Sequence, residues 1–205
     1  MKQLLLVPEP GEKVPRGGPW EPLGLVNVPS SQGQNTLDGK QQPRVIIDFT
    51  YGQGWMQKEF GLNGGTINLD KNRDKKPHLV ADHEMSPFPD AIADLILYDP
   101  PFLMREPTGW ADTDIYRRFG WYDNAAAGRK AIYRTFREIT RILKPGGELL
   151  FKWGTSSRPL NFAITLLPPQ LKIIDRDRRS NHGGRKNETW YVRMKKEKTL
   201  TPHQR

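Results

Sequence analysis

Four short apolar runs between residues 44 and 99 each close on an aspartate, and this pattern constrains the fold more than any other feature of the chain. They are Arg44-Val45-Ile46-Ile47-Asp48, Thr66-Ile67-Asn68-Leu69-Asp70, His78-Leu79-Val80-Ala81-Asp82, and Ala93 to Tyr98 followed by Asp99. Continuous apolar runs of this length read as parallel strands covered on both faces. Parallel strands need crossovers, and a long helix is expected over about Arg129 to Leu143, where Ile132, Phe136, Ile139, Ile142 and Leu143 share one face. Lys144-Pro145-Gly146-Gly147 stops that helix with a Gly/Pro turn. Glu148 to Trp153 is a fifth strand and Leu160 to Leu167 a short helix. Leu171 to Asp175 and Thr189 to Met194 form a closing strand pair, joined by a loop over Ser180 to Lys186. The order predicts a doubly wound α/β sheet in a single domain, mostly parallel with an antiparallel edge strand. Ligands of such sheets collect at the carboxyl ends of the strands, where the four acids stand.

Residues 1–43 have a different character. Seven prolines lie there among Gly, Ser, Gln and Asn, and no periodicity lasts. This stretch reads as an irregular arm, with Trp20, Leu23, Leu25 and Val26 as its candidate anchors to the domain. The domain itself spans 44–196, and a basic tail follows over 197–205. No apolar run approaches the roughly 18 residues of a membrane span, and the opening Leu4 to Val7 is shorter than the roughly 7–15 residues of a signal sequence. A cytoplasmic protein without a membrane partner is expected.

Composition excludes several chemistries. The chain has no cysteine, so disulfides, thiolate zinc sites, iron–sulfur clusters and sulfur nucleophiles are ruled out. The formal net charge is +9, which points to a polyanionic partner. From Lys172 to Arg205 there are 11 Lys and Arg against 4 Asp and Glu, so +7 of that charge lies in the last segment. A solvated basic face is the plainer reading of the same residues.

The fourth strand runs straight into Asp99-Pro100-Pro101-Phe102. Each proline forces the preceding residue into an extended conformation and removes a backbone donor. A stiff corner results, with a carboxylate, free carbonyl acceptors and an aromatic face. Upstream, Asp48-Phe49-Thr50-Tyr51-Gly52-Gln53-Gly54 places glycines in a tight turn after the first strand. Gly-x-Gly with an acid about 20 residues on also describes a nicotinamide site, but the third glycine position of that fingerprint is Gln57 here. Asp70 sits where a carboxylate binds ribose hydroxyls, and Asp82-His83 where a carboxylate accepts from an adenine amino group. A metal site at Asp82-His83-Glu84 is disfavoured, because adjacent residues of an extended segment point opposite ways. Trp110, Trp121 and Tyr122 with Arg117 and Arg118 suit either core packing or a grip on nucleic acid.

Taken together, Asp48…Gly52-x-Gly54, Asp70, Asp82, Asp99-Pro100-Pro101-Phe102 and Leu143-Lys144-Pro145-Gly146-Gly147 resemble a class I S-adenosylmethionine-dependent methyltransferase. Asp-Pro-Pro-Phe is similar to the motif of the branch that methylates exocyclic amines, the adenine-N6 and cytosine-N4 DNA methylases and their RNA relatives. Phe151-Lys152-Trp153 and Thr189 to Lys195 look similar to short DNA-methylase-like proteins of phages and bacteria. The resemblance covers about 44–196 and implies a Rossmann-like methyltransferase sheet that binds S-adenosylmethionine. It implies cofactor contacts at Asp48, Thr50, Tyr51, Gly52, Gly54, Asp70, Asp82 and His83, and a catalytic corner at Asp99, Pro100, Pro101 and Phe102. The first motif, Asp-Phe-Thr-Tyr-Gly-Gln-Gly, departs from the more usual Asp-Pro-Phe-x-Gly-x-Gly at Phe49 and Thr50. The implied substrate is adenine, ahead of cytosine, in DNA or RNA. Two alternatives stand beside it: a catalytically silent nucleic-acid-binding subunit, and a nicotinamide oxidoreductase, which Gln57 and Asp-Pro-Pro-Phe both disfavour. The chain has little room for a target-recognition domain, so a sequence-specific restriction-type enzyme is not expected.

Overall fold

The computed structural model describes residues 36–37, 40–41, 44–62, 64–107, 113–180 and 188–198. All of them fall in the second of two compact units, residues 34–205; the first unit, residues 1–33, lies outside the described residues together with the anchors expected there. At the start of the second unit, β1 (Thr36–Leu37) and β2 (Lys40–Gln41) form a small antiparallel ribbon, a regular element inside the stretch read as irregular.

The main sheet has seven strands. Its parallel part is built from β3 (Ile46–Asp48), β4 (Thr66–Asp70), β5 (Leu79–Val80), β6 (Ala93–Tyr98) and β7 (Leu143–Gly154). The order is β5-β4-β3-β6-β7-β9-β8, with β8 at Leu171–Ser180 and β9 at Glu188–Lys196. The chain therefore winds outward from β3 to one edge, returns, and winds to the other, which places the reversal between β3 and β6. The antiparallel edge takes the form of a long hairpin: β9 runs against both β7 and β8. The helices are α1 (Trp55–Glu59), α2 (Thr113–Phe119), α3 (Ala125–Ile142) and α4 (Leu160–Ile164).

Packing follows the apolar runs. Ile47, Ile96, Leu97, Tyr98, Phe151 and Trp153 of the sheet are fully buried, as are Ile132, Phe136, Ile139 and Ile142 of α3. Rings dominate the contact: Tyr98, Phe136 and Phe151 meet with centroids 5.3–5.9 Å apart, a spacing that adds orientation to the area buried. α3 starts at Ala125, four residues before the expected Arg129. Asn124 caps it, its side chain accepting from Ala127 N at 3.0 Å. Gly128 lies buried in the first turns because a Cβ there would come within 2.5 Å of Met104 Sδ and 3.1 Å of the Tyr122 ring. That close approach brings the segment after the proline corner down onto the helix.

Lys144-Pro145-Gly146-Gly147 does end the helix, but its residues belong to β7, which pairs with β6 at Leu143 and resumes at Glu148 after an irregularity. His78 and Asp82 flank a third strand shorter than expected, and the short helix closes at Ile164 instead of Leu167.

Candidate active site

Asp48 ends β3 beneath the glycine turn. Its Oδ1 accepts from Thr50 N at 3.2 Å and its Oδ2 from Gln57 Nε2 at 2.9 Å, and Gln57 also donates to Asn68 Oδ1 at 2.6 Å. Gln57 thus ties β3, β4 and α1 together. Burial pushes the Asp48 carboxyl up to about 6, against the opposing bonds from Gln57 and Thr50. The carboxylate supports the turn from below and does not reach the cavity wall.

The turn itself is shaped by two left-handed residues, Gly52 at φ +53° and Gly54 at φ +67°. Gly54 N donates to Tyr51 O at 2.7 Å, and Gly54 caps α1. Gly52 N donates to Asp70 Oδ2 at 2.8 Å, while Asn72 N donates to Asp70 Oδ1 at 2.8 Å. The Asp70 carboxylate is locked by one backbone N–H on each oxygen. A carboxylate offers about four lone-pair sites, so two remain for hydroxyls of a ligand.

Asp82 and His83 part company. Asp82 is exposed, its Oδ1 accepting from Glu84 N at 2.8 Å, and it is not on the cavity wall. His83 is buried and lines the cavity. Its Nδ1 stands 2.9 Å from Thr135 Oγ1, and that hydroxyl donates to Ala131 O at 2.9 Å. A Thr135 hydroxyl that donates to Ala131 O accepts from Nδ1, and that tautomer leaves Nε2 as an acceptor. Burial lowers the ring to about 4, so it stays neutral near pH 7.

The proline corner closes the other end of the site. Asp99 N donates to Thr50 Oγ1 at 2.7 Å, which links the corner to the glycine turn. The Asp99 carboxylate lies 3.1 Å from Lys152 Nζ, the two side chains keeping 30% and 22% of their exposure. Burial raises the Asp99 carboxyl and Lys152 opposes the rise. Pro101 lines the cavity, whereas Pro100 is buried. Phe102 packs over Gly154 and beside the Phe119 ring, centroids 5.8 Å apart, next to the cavity and not on its wall.

One cavity of about 1270 Å³ joins these parts: its wall holds Thr50, Tyr51, Gly52, Asp70 and His83 together with Asp99, Pro101 and Lys152, and Thr50 bridges the glycine turn and the proline corner. Its lining also holds Trp55, Phe119 and Trp121, which keep 54%, 44% and 40% of their exposure, and the cations Lys58, Lys71, Lys75, Arg117 and Arg118. Lys58 stands over the Trp55 ring and Arg118 over Phe119, each 5.3 Å from the centroid. Of the aromatics singled out by sequence, Trp121 is on this wall, Tyr122 is core and Trp110 lies outside the described residues. Glu59 is a functional candidate with no signal in the sequence, while Lys152 and Tyr191 stand there only inside the runs Phe151-Lys152-Trp153 and Thr189 to Lys195; the β7–β9 register and the Tyr191–Glu59 bond bring the three together. Among the described residues no cluster of three or more His, Asp or Glu is placed to hold a metal, and no helix is long and apolar enough to cross a membrane.

No protein-family model matches the chain, and no curated protein matches its sequence. Solved structures do match. TrmN from Thermus thermophilus superposes with a TM-score of 0.50 at 15% identity over 75% of this chain; the match spans 44% of TrmN. The N-methyltransferase NodS from Bradyrhizobium japonicum WM9, in complex with S-adenosyl-L-homocysteine, gives 0.51 at 12% identity over 75% of this chain and 78% of NodS. A SAM-dependent methyltransferase from Methanosarcina mazei gives 0.51 at 13% identity, over 77% of this chain and 95% of its own. Strand order, glycine turn and these superpositions agree that the chain has the Rossmann-like fold of the class I SAM-dependent methyltransferases.

Proposed function

We propose that this chain is an S-adenosylmethionine-dependent methyltransferase that modifies an exocyclic amino group in nucleic acid, adenine N6 ahead of cytosine N4, with DNA as the first candidate polymer and RNA as the second. The observation that carries the reading is that one cavity is lined both by the Asp70 carboxylate and by Asp99 and Pro101 of the proline corner. The lining residues fit the cofactor. Asp70 keeps two lone-pair sites for a ribose diol, and the same cavity wall holds Phe49 and Met56 with His83, a surface suited to a purine. S-adenosylmethionine, when bound, supplies an electrophilic methyl group.

Everything else is done by the chain. An exocyclic amine is a poor nucleophile because its lone pair is delocalised into the ring. Asp99, with the carbonyl of Pro100, accepts its N–H bonds and holds the nitrogen nearer sp³ geometry. The prolines keep those acceptors stiff, so no reorganisation is needed at the moment of reaction. Trp55, Phe119 and Trp121 offer faces on which unpaired bases stack, and the cations between them answer phosphates. Phe102 buttresses Phe119 in this arrangement instead of meeting the base itself.

Asp99→Ala tests the reading. Methyl transfer from tritiated cofactor to single-stranded DNA, duplex DNA and total RNA should fall by about 10²-fold or more, the scale of losing one preorganised polar contact to a transition state. Nucleic-acid affinity should survive. Full activity in this variant on the substrate that the wild type methylates overturns the mechanism.

A further inference from the structure

Among the described residues, Lys152 is the cation paired with Asp99 at the proline corner, and its surroundings are built. It sits on β7 directly opposite Tyr191 of β9, next to the fully buried Trp153. Its ammonium lies 3.1 Å from Asp99 Oδ2 and 6.0 Å from the centre of the Tyr191 ring. Tyr191 is itself held: its hydroxyl donates to Glu59 Oε1 at 2.6 Å. Arg179 donates to the same oxygen at 2.6 Å while its guanidinium stands 4.3 Å from the Tyr191 ring centre. Asp99, Lys152, Tyr191, Glu59 and Arg179 thus form one connected chain, with charges that alternate along it, from the substrate corner through α1 to the edge hairpin.

We infer that Lys152 is a positioning residue: it keeps Asp99 as an ionised acceptor, fixed at the end of the cavity where the target amine is held. The inference rests on the function proposed above. An ordinary exposed ion pair contributes little, but this one is two-thirds or more removed from solvent on both sides and lies on the cavity wall. Burial of the corner works against the ionised carboxylate, and Lys152 is the group that opposes it. Glu59 approaches Asp99 from α1, Asp48 from β3, Tyr191 from β9, and Tyr98 precedes it in β6; of these groups none is a cation. Lys152 alone among them lowers the Asp99 carboxyl against burial and against the Glu59 charge. A protonated carboxyl presents a donor to an amine that itself needs acceptors, so losing Lys152 misplaces the nitrogen without touching the cofactor end.

The test uses the full chain with Lys152→Met, Lys152→Gln and Lys152→Arg. In the Met and Gln variants the acid limb of the rate profile should move to higher pH, with an activity loss of about tenfold on the acid side that is largely regained on the alkaline side. Lys152→Arg should keep the wild-type limb. S-adenosylhomocysteine affinity by calorimetry should stay within about twofold in all three. A loss of equal size at every pH, or an unmoved limb, would mean that Lys152 is structural, and the inference falls. A second readout needs no substrate: the ¹³C carboxyl resonance of Asp99, assigned through Asp99→Asn, should titrate at higher pH in Lys152→Gln than in the wild type. If that titration shifts while no nucleic acid is methylated, the pairing stands and the amino-methyltransferase reading fails instead.

Discussion

Two buried groups near the site titrate in opposite senses, and their balance sets how the fold responds to acid. Asp48 is raised to about 6 by burial, so the folded protein binds its proton more tightly than the unfolded chain does. Its contribution is present at low pH and lost as pH rises through 6. His83 is lowered to about 4, so the unfolded chain takes up that proton first. Its contribution is present above the unfolded value of 6.5 and lost as pH falls toward 4. Each shift is a little over two pH units, on the order of 3 kcal/mol, and between pH 4 and 6 the two nearly cancel. Urea unfolding across that window should therefore show a shallow dependence from this pair in the wild type. His83→Asn removes one side, and stability should then rise as the solution is acidified. Asp48→Asn should do the reverse, with a general cost from the donor that now faces Gln57. Parallel profiles in the two variants would show that these groups do not titrate as their burial requires. At the cofactor end, Asp70→Ala should weaken S-adenosylmethionine binding by about 1–3 kcal/mol, because it unfastens Gly52 and Asn72 and removes the acceptor of the diol. An unchanged calorimetric affinity would move the ribose contact elsewhere.

The turn between α3 and the body of β7 is the element on which sequence and structure differ most usefully. Read from sequence, Lys144-Pro145-Gly146-Gly147 is a stop signal. In the fold it is also a packed joint. Gly146 holds φ +83°, and a Cβ on Gly147 would sit 3.0 Å from both Ala93 O and Lys144 O, two backbone atoms that cannot swing away. Gly147→Ala must therefore separate the starts of β6 and β7, and a loss of about 1–3 kcal/mol in urea unfolding is expected, the usual cost of overpacking. A neutral result would mean that the joint gives. Thr66–Asp70 and Ala93–Tyr98 were legible to the residue because an apolar run closed by an acid or a Pro-Pro leaves little freedom. The first turn of α3 was not, since Ala125-Ala126-Ala127-Gly128 has no amphipathic stripe and its cap is a single asparagine. The same division holds in the site. Asp70, Gly52 and Asp99 announce themselves by local motif. Lys152 and Glu59 acquire meaning only when β7 pairs with β9 and α1 comes to rest beside the hairpin, a register set by packing that no local window contains.

For the whole molecule, the proposed function raises the question of where its +9 charge would meet nucleic acid. Counting along the chain favours the last segment, from Lys172 onward. The fold gathers a second set, Lys58, Lys71, Lys75, Arg117 and Arg118, around the cavity that holds the proline corner. Several cations of the first set are already matched: Arg193 is bidentate on Glu148, Arg178 meets Glu188 and Arg179 meets Glu59. Under the proposed function, a strand that delivers a base to Asp99 would meet the second set, whose cations share the cavity wall with the exposed rings Trp55, Phe119 and Trp121. Binding of a single-stranded oligonucleotide should therefore lose affinity steeply with salt. Each phosphate contact removed should flatten the log K versus log salt slope by about 0.7. Lys71→Ala and Arg117→Ala, made together, should remove about two such contacts, whereas Lys195→Ala, exposed on β9 away from the cavity, should leave the slope as it was. The opposite outcome, a slope that answers to Lys195 and ignores Lys71 and Arg117, would place the strand along the hairpin and leave the rings at the cavity mouth without a nucleic-acid role.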